Sequence, residues 1–180
     1  QVEVQVITLE PEIDVEEIER VKGELREYTE RITNKETSFS TLALLYSEDP
    51  GSARRGGELD FMGKGQLQPE FATVAFSLTD PNKVSKIVET EYGFHIIQLM
   101  EKRGDRVKVR HILRKPQYST DNIKKMLLRL DSIASDIKEE KFTFEEGAEV
   151  ISHDKETRNN YGMMYNKMTA SSHFKMDELP

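Results

Sequence analysis

Polar and apolar residues alternate at the start of the chain, where Val2, Val4 and Val6 are separated by Glu3 and Gln5. A period of two predicts a half-buried strand. From Asp14 the period changes. Ile18, Val21, Leu25, Tyr28 and Ile32 recur at three- and four-residue steps, which is one apolar face of a helix. Asp14 followed by Glu17 reads as a capping box at its start. Gly23 inside this helix costs about 1 kcal/mol against Ala, so the helix must lean on packing. A short helix is predicted over 39–46, then a loop rich in glycine (Gly51, Gly56, Gly57, Gly63, Gly65). Pro69 suits the first turn of a third helix over 69–77. Two strands, 84–90 and 93–101, close the unit, and residues 101–106 form a polar junction. Strand, three helices and two strands make an α+β unit with a mainly antiparallel sheet.

The same pattern then starts again. At a shift of 105 positions Val2 meets Val107, Val4 meets Val109, Ile7 meets Ile112, Ile18 meets Ile123, Leu25 meets Leu130 and Ile32 meets Ile137. Phe39, Ala43, Ser47 and Asp49 meet Phe144, Ala148, Ser152 and Asp154. Ungapped matches that fall mostly on apolar positions indicate a duplicated domain. The expected boundaries are 1–103 for a complete first domain and 104–180 for the N-terminal part of a second. The second copy offers a strand over 107–113 and helices over 120–140 and 144–151, with Ile123, Leu127, Leu130, Ala134 and Ile137 on one face. Its counterpart of residues 76–100 is missing. Half a sheet leaves an open edge, so this copy is expected either to be completed by another chain, through strand exchange or dimerisation, or to belong to a longer protein.

Composition narrows the chemistry. The net charge is −7, with 12 Lys/Arg against 20 Asp/Glu in residues 1–103 and 14 against 13 in residues 104–180. An acidic first half argues against a nucleic-acid partner. No apolar run approaches the roughly 20 residues that a spanning helix needs, so no membrane insertion is expected. The chain has no cysteine and four scattered histidines. Disulfides, a thiol nucleophile and a metal site are therefore not expected, and no cofactor is called for. The chain opens on Gln1 and is expected to be a processed or excised piece.

Three blocks carry the functional signal: Ser47-Glu48-Asp49, then Gly56-Gly57-Glu58-Leu59-Asp60-Phe61 with Gly63 to Phe71, then Val88 to Ile97. In sequence and spacing they resemble the parvulin-type peptidyl-prolyl isomerases, and the tandem arrangement is similar to the SurA-type periplasmic chaperone-isomerases. The resemblance implies a parvulin (FKBP-like) fold, a four-stranded antiparallel sheet with surrounding helices, in one complete copy and one truncated copy. It implies a rotamase that acts on Xaa-Pro bonds without a covalent intermediate, and a folding chaperone in the periplasm. Its partners would be unfolded or extended proline-containing polypeptides, outer-membrane protein precursors among them. Leu59, Leu67 and Phe71 would line the proline pocket, with Gln68 and Tyr92 beside it. Asp49, Thr90 and His95 would form the catalytic hydrogen-bonded group, and His111 and Asp154 would be its incomplete counterpart in the second copy.

Each of these residues has a plainer reading. Leu59, Leu67 and Phe71 also suit a core, His95 a buried structural histidine, and Asp49 a loop cap. Arg54 and Arg55 read as solvated loop charges. In the second copy Met163 takes the place of Leu59, while Met164 and Met168 offer adaptable apolar surface or ordinary core filling. The first copy also departs from the family, because Val6 stands where a histidine is usual and cannot hydrogen-bond. The pairing of two histidines is therefore expected to be broken there. This motivates a rival reading: a binding module that holds clients without turnover. A third class, a purely structural assembly domain, would have no pocket. Glu10, Glu12 and Asp14 after the first strand would repel phosphate, and Arg114-Lys115 is too little to read phosphoserine.

Overall fold

The computed structural model describes residues 1–167 and 169–178. The chain forms two compact units, residues 13–117 and residues 1–12 together with 118–180. The division differs from the expected one at 103/104, and the difference lies in one strand at each end.

The unit 13–117 contains α1 (Val15–Thr33), α2 (Phe39–Tyr46), β2 (Met62–Gly63), α3 (Pro69–Ser77), β3 (Val88–Thr90), β4 (Gly93–Arg103) and β5 (Arg106–Arg114). β2, β5, β4 and β3 form an antiparallel sheet in that order. Successive side chains on a strand point to opposite faces, and each face of this sheet builds a core. Phe94, Ile96 and Ile112 pack with Val21, Leu25 and Tyr28 of α1 and with Phe39, Leu42 and Ala43 of α2. On the other face Ile97, Leu99, Val107 and Val109 pack with Phe71 and Ala75 of α3. Asp14 is the N-cap of α1, but Glu17 does not close the expected box. Its carboxylate binds Arg20 and the Gln117 N–H instead.

The polar junction 101–106 is a hairpin turn rather than a linker. β4 runs to Arg103, Gly104 takes a positive φ of 55°, and β5 returns antiparallel from Arg103↔Arg106 to Phe94↔Arg114, with a one-residue shift of register between Leu99 and Glu101. A two-residue turn with positive φ suits the twist of the flanking strands. It also makes the pairing local. Bringing residues 2–8 against β4 would require closing a loop of roughly 90 residues, and each doubling of loop length costs about 0.6 kcal/mol. The strand that follows β4 therefore takes the place expected of the strand that precedes α1.

The other unit holds residues 2–8, α4 (Thr120–Lys138), α5 (Phe144–Ile151) and β6 (His173–Phe174). β1 (Val2–Glu3) pairs with β6, and Gln5 bridges Met163. The repeat register shows what has happened. In one unit the His111 N–H donates to the Gly57 carbonyl at 2.9 Å, Leu59 N–H to Val109 at 2.9 Å, and Glu48 N–H to Leu113 at 2.8 Å. In the other, 105 positions away, Val6 N–H donates to Gly162 at 2.8 Å, Met164 N–H to Val4 at 2.9 Å, and His153 N–H to Thr8 at 2.8 Å. Each body holds the first strand of the other repeat, in the same register and on the same partners. The approach is so close that a Cβ on Gly57 (φ +80°) would lie 2.3 Å from the His111 carbonyl oxygen, and one on Gly162 (φ +78°) 2.7 Å from that of Val6.

Candidate active site

The exchange of strands decides the chemistry, because it puts His111 where Val6 was expected. His95 on β4 and His111 on β5 point to the same face of the sheet, since Ile97 lies opposite His111 and His95 opposite Leu113. Their Nδ1 atoms are 3.2 Å apart, and the rings stack at 19° with centroids 5.5 Å apart. The expected loss of the histidine pair is thus corrected: the second repeat supplies the missing imidazole. The expected partnership of His111 with Asp154 is not formed either. Asp154 lies in the other unit, where it accepts from Thr157 Oγ1 and from the Glu156 N–H, and Val6 is the residue equivalent to His111 there.

Asp49 is brought to the histidines by the loop after α2. Its Oδ2 lies 2.9 Å from His111 Nε2 and also accepts from the Ser52 hydroxyl. At the other end Thr90 Oγ1 is 2.8 Å from His95 Nε2 and accepts from the Tyr92 N–H at 3.1 Å. The carboxylate fixes every proton in the row. A carboxylate only accepts, so His111 carries its proton on Nε2 and donates to Asp49. Its Nδ1 then accepts from His95 Nδ1–H, and His95 Nε2 accepts from the Thr90 hydroxyl. Both imidazoles are neutral in this arrangement. Burial pushes His95 down to about 4, and the neighbouring His111 pushes the same way. Burial also lowers His111, against the pull of Asp49. Burial pushes Asp49 up, but the hydrogen bonds from Ser52 and His111 outweigh it and hold the carboxyl below its usual range.

Phe71 stands edge-on to both imidazoles, at 5.4 Å and 5.5 Å from their centroids. It is 5% exposed and belongs to the core. It also forms a wall of an open cavity of about 630 Å³. Leu59 and Leu67 line the same cavity and are half-buried against that core. Core and pocket are therefore not alternatives for these three. Asp49, Gln68, Thr90, Tyr92, His95 and His111 all reach this cavity. The side chain of Gln68 donates to Glu91, and Tyr92 is 54% exposed at the mouth. Arg54 and Arg55 are exposed.

Sequence reasoning missed Ser52, Met62 and Leu113. Ser52 is fully buried, and its hydroxyl touches both Asp49 and His111 Nε2, the latter at 2.9 Å. A serine in a glycine-rich loop carries no such signal. Met62 and Leu113 add apolar wall to the cavity. In the other unit Met163 lies opposite Gln5 in a β-bridge and the Met164 N–H donates to the Val4 carbonyl, while Met168 lies outside the described residues. Among the described residues no cluster of His, Cys, Asp or Glu suits a metal ion, and no helix is long and apolar enough to cross a membrane.

The chaperone SurA of Shewanella denitrificans is 44% identical over 85 residues, which is 47% of this chain and 19% of that protein. The chaperone SurA of Pseudomonas syringae is 38% identical over 104 residues, 58% of this chain and 24% of that protein. The foldase protein PrsA 3 of Bacillus anthracis is 42% identical over 95 residues, 52% of this chain and 32% of that protein. The matched region thus spans at most about a third of these relatives. The family model of the rotamase, PPIC-type PPIase domain, matches residues 6–101 and again residues 111–177. With two matches that together take in most of the chain, and with a parvulin-type α+β fold around a histidine pair and an apolar cavity, the protein belongs to the PPIC-type peptidyl-prolyl isomerase (rotamase) domain family.

Proposed function

We propose that residues 13–117 form a working prolyl isomerase site that turns over Xaa-Pro bonds in unfolded or extended polypeptides, and that the chain serves as a folding chaperone. One observation carries this reading: the row Thr90–His95–His111–Asp49 lies on the floor of the apolar cavity that Leu59, Leu67 and Phe71 wall. The barrier to rotation is about 18–20 kcal/mol because twisting the bond breaks amide resonance. A thousandfold acceleration needs about 4 kcal/mol of preference for the twisted state. The walls grip the pyrrolidine ring and exclude water. The neutral, fully hydrogen-bonded row provides a fixed polar floor that does not reorganise as the bond turns. No residue forms a bond to the substrate in this scheme, so the lack of cysteine is no obstacle.

The holding-only reading rested on Val6. That residue belongs to the other unit, so the objection does not apply to this cavity. By their names the relatives are chaperones and foldases, and we extend that role to this chain, with a periplasmic setting and outer-membrane protein precursors among its clients. Exchange NMR on an Ala-Pro-containing peptide tests the isomerase reading. The full chain at substoichiometric concentration should bring the cis and trans signals into exchange. Peptide binding with cis–trans exchange still at the uncatalysed rate would refute it.

A further inference from the structure

The row on the cavity floor ends on a carboxylate, and a second group stands behind it. Asp49 Oδ2 and Ser52 Oγ each lie 2.9 Å from His111 Nε2. The Ser52 hydroxyl donates its proton to Asp49 Oδ2, so its oxygen is left to accept, and the two oxygens share the His111 ring N–H. Asp49 Oδ1 takes the Gly51 N–H at 3.2 Å, so the carboxylate is held at both oxygens. The main chain of Ser52 ties the same loop to the same strand. Its carbonyl accepts from the Gly57 N–H at 2.9 Å, and the Gly57 carbonyl accepts from the His111 N–H at 2.9 Å. Asp49, Thr90, His95 and His111 line the cavity, whereas Ser52 is fully buried. It stands behind the row, out of reach of a bound peptide.

The repeat separates what the loop needs from what the site adds. Thr157 is the equivalent of Ser52 and makes the same two loop bonds. Its hydroxyl donates to Asp154 Oδ2 at 2.5 Å, and its carbonyl accepts from the Gly162 N–H at 2.9 Å. There Val6 holds the place of His111, and a valine side chain cannot share the bond. The contact with the ring belongs to the unit 13–117 alone. We infer, on the reading that this unit is an isomerase, that Ser52 is a positioning residue for the reaction: its hydroxyl holds the Asp49 carboxylate and the His111 ring in one orientation, so that His111 Nδ1 keeps facing His95. Turning the ring over would set a C–H against two oxygens and break the 3.2 Å contact between the Nδ1 atoms. Without the hydroxyl, Asp49 holds the ring through one oxygen and is free to rotate about its own side chain. A floor that must re-form in each turnover loses the advantage of dipoles fixed in advance.

The test compares the full chain with Ser52→Ala and with Ser52→Cys, whose thiol is close in size but a poor donor. Cis–trans exchange of the Ala-Pro peptide, measured by NMR over a range of peptide concentrations, should show kcat lowered about tenfold in both variants with KM within about twofold of wild type, as loss of a contact felt only in the transition state requires. The ring N–H proton of His111, followed by NMR in the same proteins, should exchange with water about tenfold faster once its second oxygen is gone. A hydroxyl that only capped the loop would lower the melting temperature and leave kcat and the ring proton at their wild-type values, and that result overturns the inference. A KM that rises while kcat holds also overturns it, because Ser52 would then act in peptide binding. Where Ser52→Ala does not fold, Ser52→Cys carries the comparison. Failure of the isomerase reading looks different: the wild-type chain itself gives no acceleration, and the ring proton then decides whether Ser52 holds His111.

Discussion

Acidification should loosen the unit 13–117 through its histidines, and the size of the effect follows from their burial. His95 is 3% exposed and its pKa is depressed from 6.5 to about 4. Between those values the unfolded chain binds a proton at this position that the folded chain refuses. Stability must therefore fall as the pH drops from 6.5 towards 4, and level off for this group below that. A displacement of this size corresponds to on the order of 3 kcal/mol, a large part of the stability of a small domain. His111 is also depressed and acts in the same direction. Asp49 and Glu58 are held below the usual carboxylate values of 3.8 and 4.5, so their contribution is present above those values and is lost only at lower pH. The window from about pH 4.5 to 6.5 belongs to the histidines. The assay is the urea midpoint of the chain and of His95→Gln across that window. Small proteins lose about 1–3 kcal/mol per molar urea, so the wild-type midpoint should drop by about 1–2 M between pH 7 and 4.5, and that of the variant by clearly less. Equal drops in both proteins would show that His95 is not the buried neutral imidazole described above.

Three further outcomes follow from the same contacts. His111→Ala should lower kcat/KM for a proline peptide at least tenfold, and adding Val6→His should not restore it, because residue 6 belongs to the other unit; recovery in a coupled assay would contradict the strand assignment. Phe71→Ala should weaken peptide binding and also cost about 3–5 kcal/mol, as removal of a buried ring does, whereas Phe71→Leu should fold with a smaller loss and still bind less tightly; titration and urea unfolding separate the two effects. Gly57→Ala combines a left-handed backbone with a Cβ 2.3 Å from the His111 carbonyl and should destabilise this unit by more than about 2 kcal/mol, measured as a lower melting temperature.

Helix faces and the glycine loop were legible because their signals are local: a 3.6-residue period, Pro69 at a helix start, and Gly57 where a backbone must approach closely. The pocket was legible through the resemblance, and Leu59, Leu67 and Phe71 do line one cavity. Strand partnership was not legible. Residues 2–8 and 107–113 carry the same alternation and the same register, so either fits either body, and pattern alone cannot choose between them. The deciding feature was the turn at Gly104-Asp105. Its setting of Glu, Lys and Arg looks like a linker because the end of a hairpin is solvated on both faces. Reading it as a junction left Val6 in the wrong body and made the site look broken. Ser52 stayed hidden for a different reason: its role depends on full burial beside Asp49 and His111, which nothing in its neighbours announces.

The most direct measurement compares two truncated chains in the same proline-isomerisation assay. Residues 13–117, which keep β5 and His111, should accelerate isomerisation as the full chain does, while residues 1–103, which keep Val6 and lose His111, should not. Activity in residues 1–103 together with none in residues 13–117 would contradict the account.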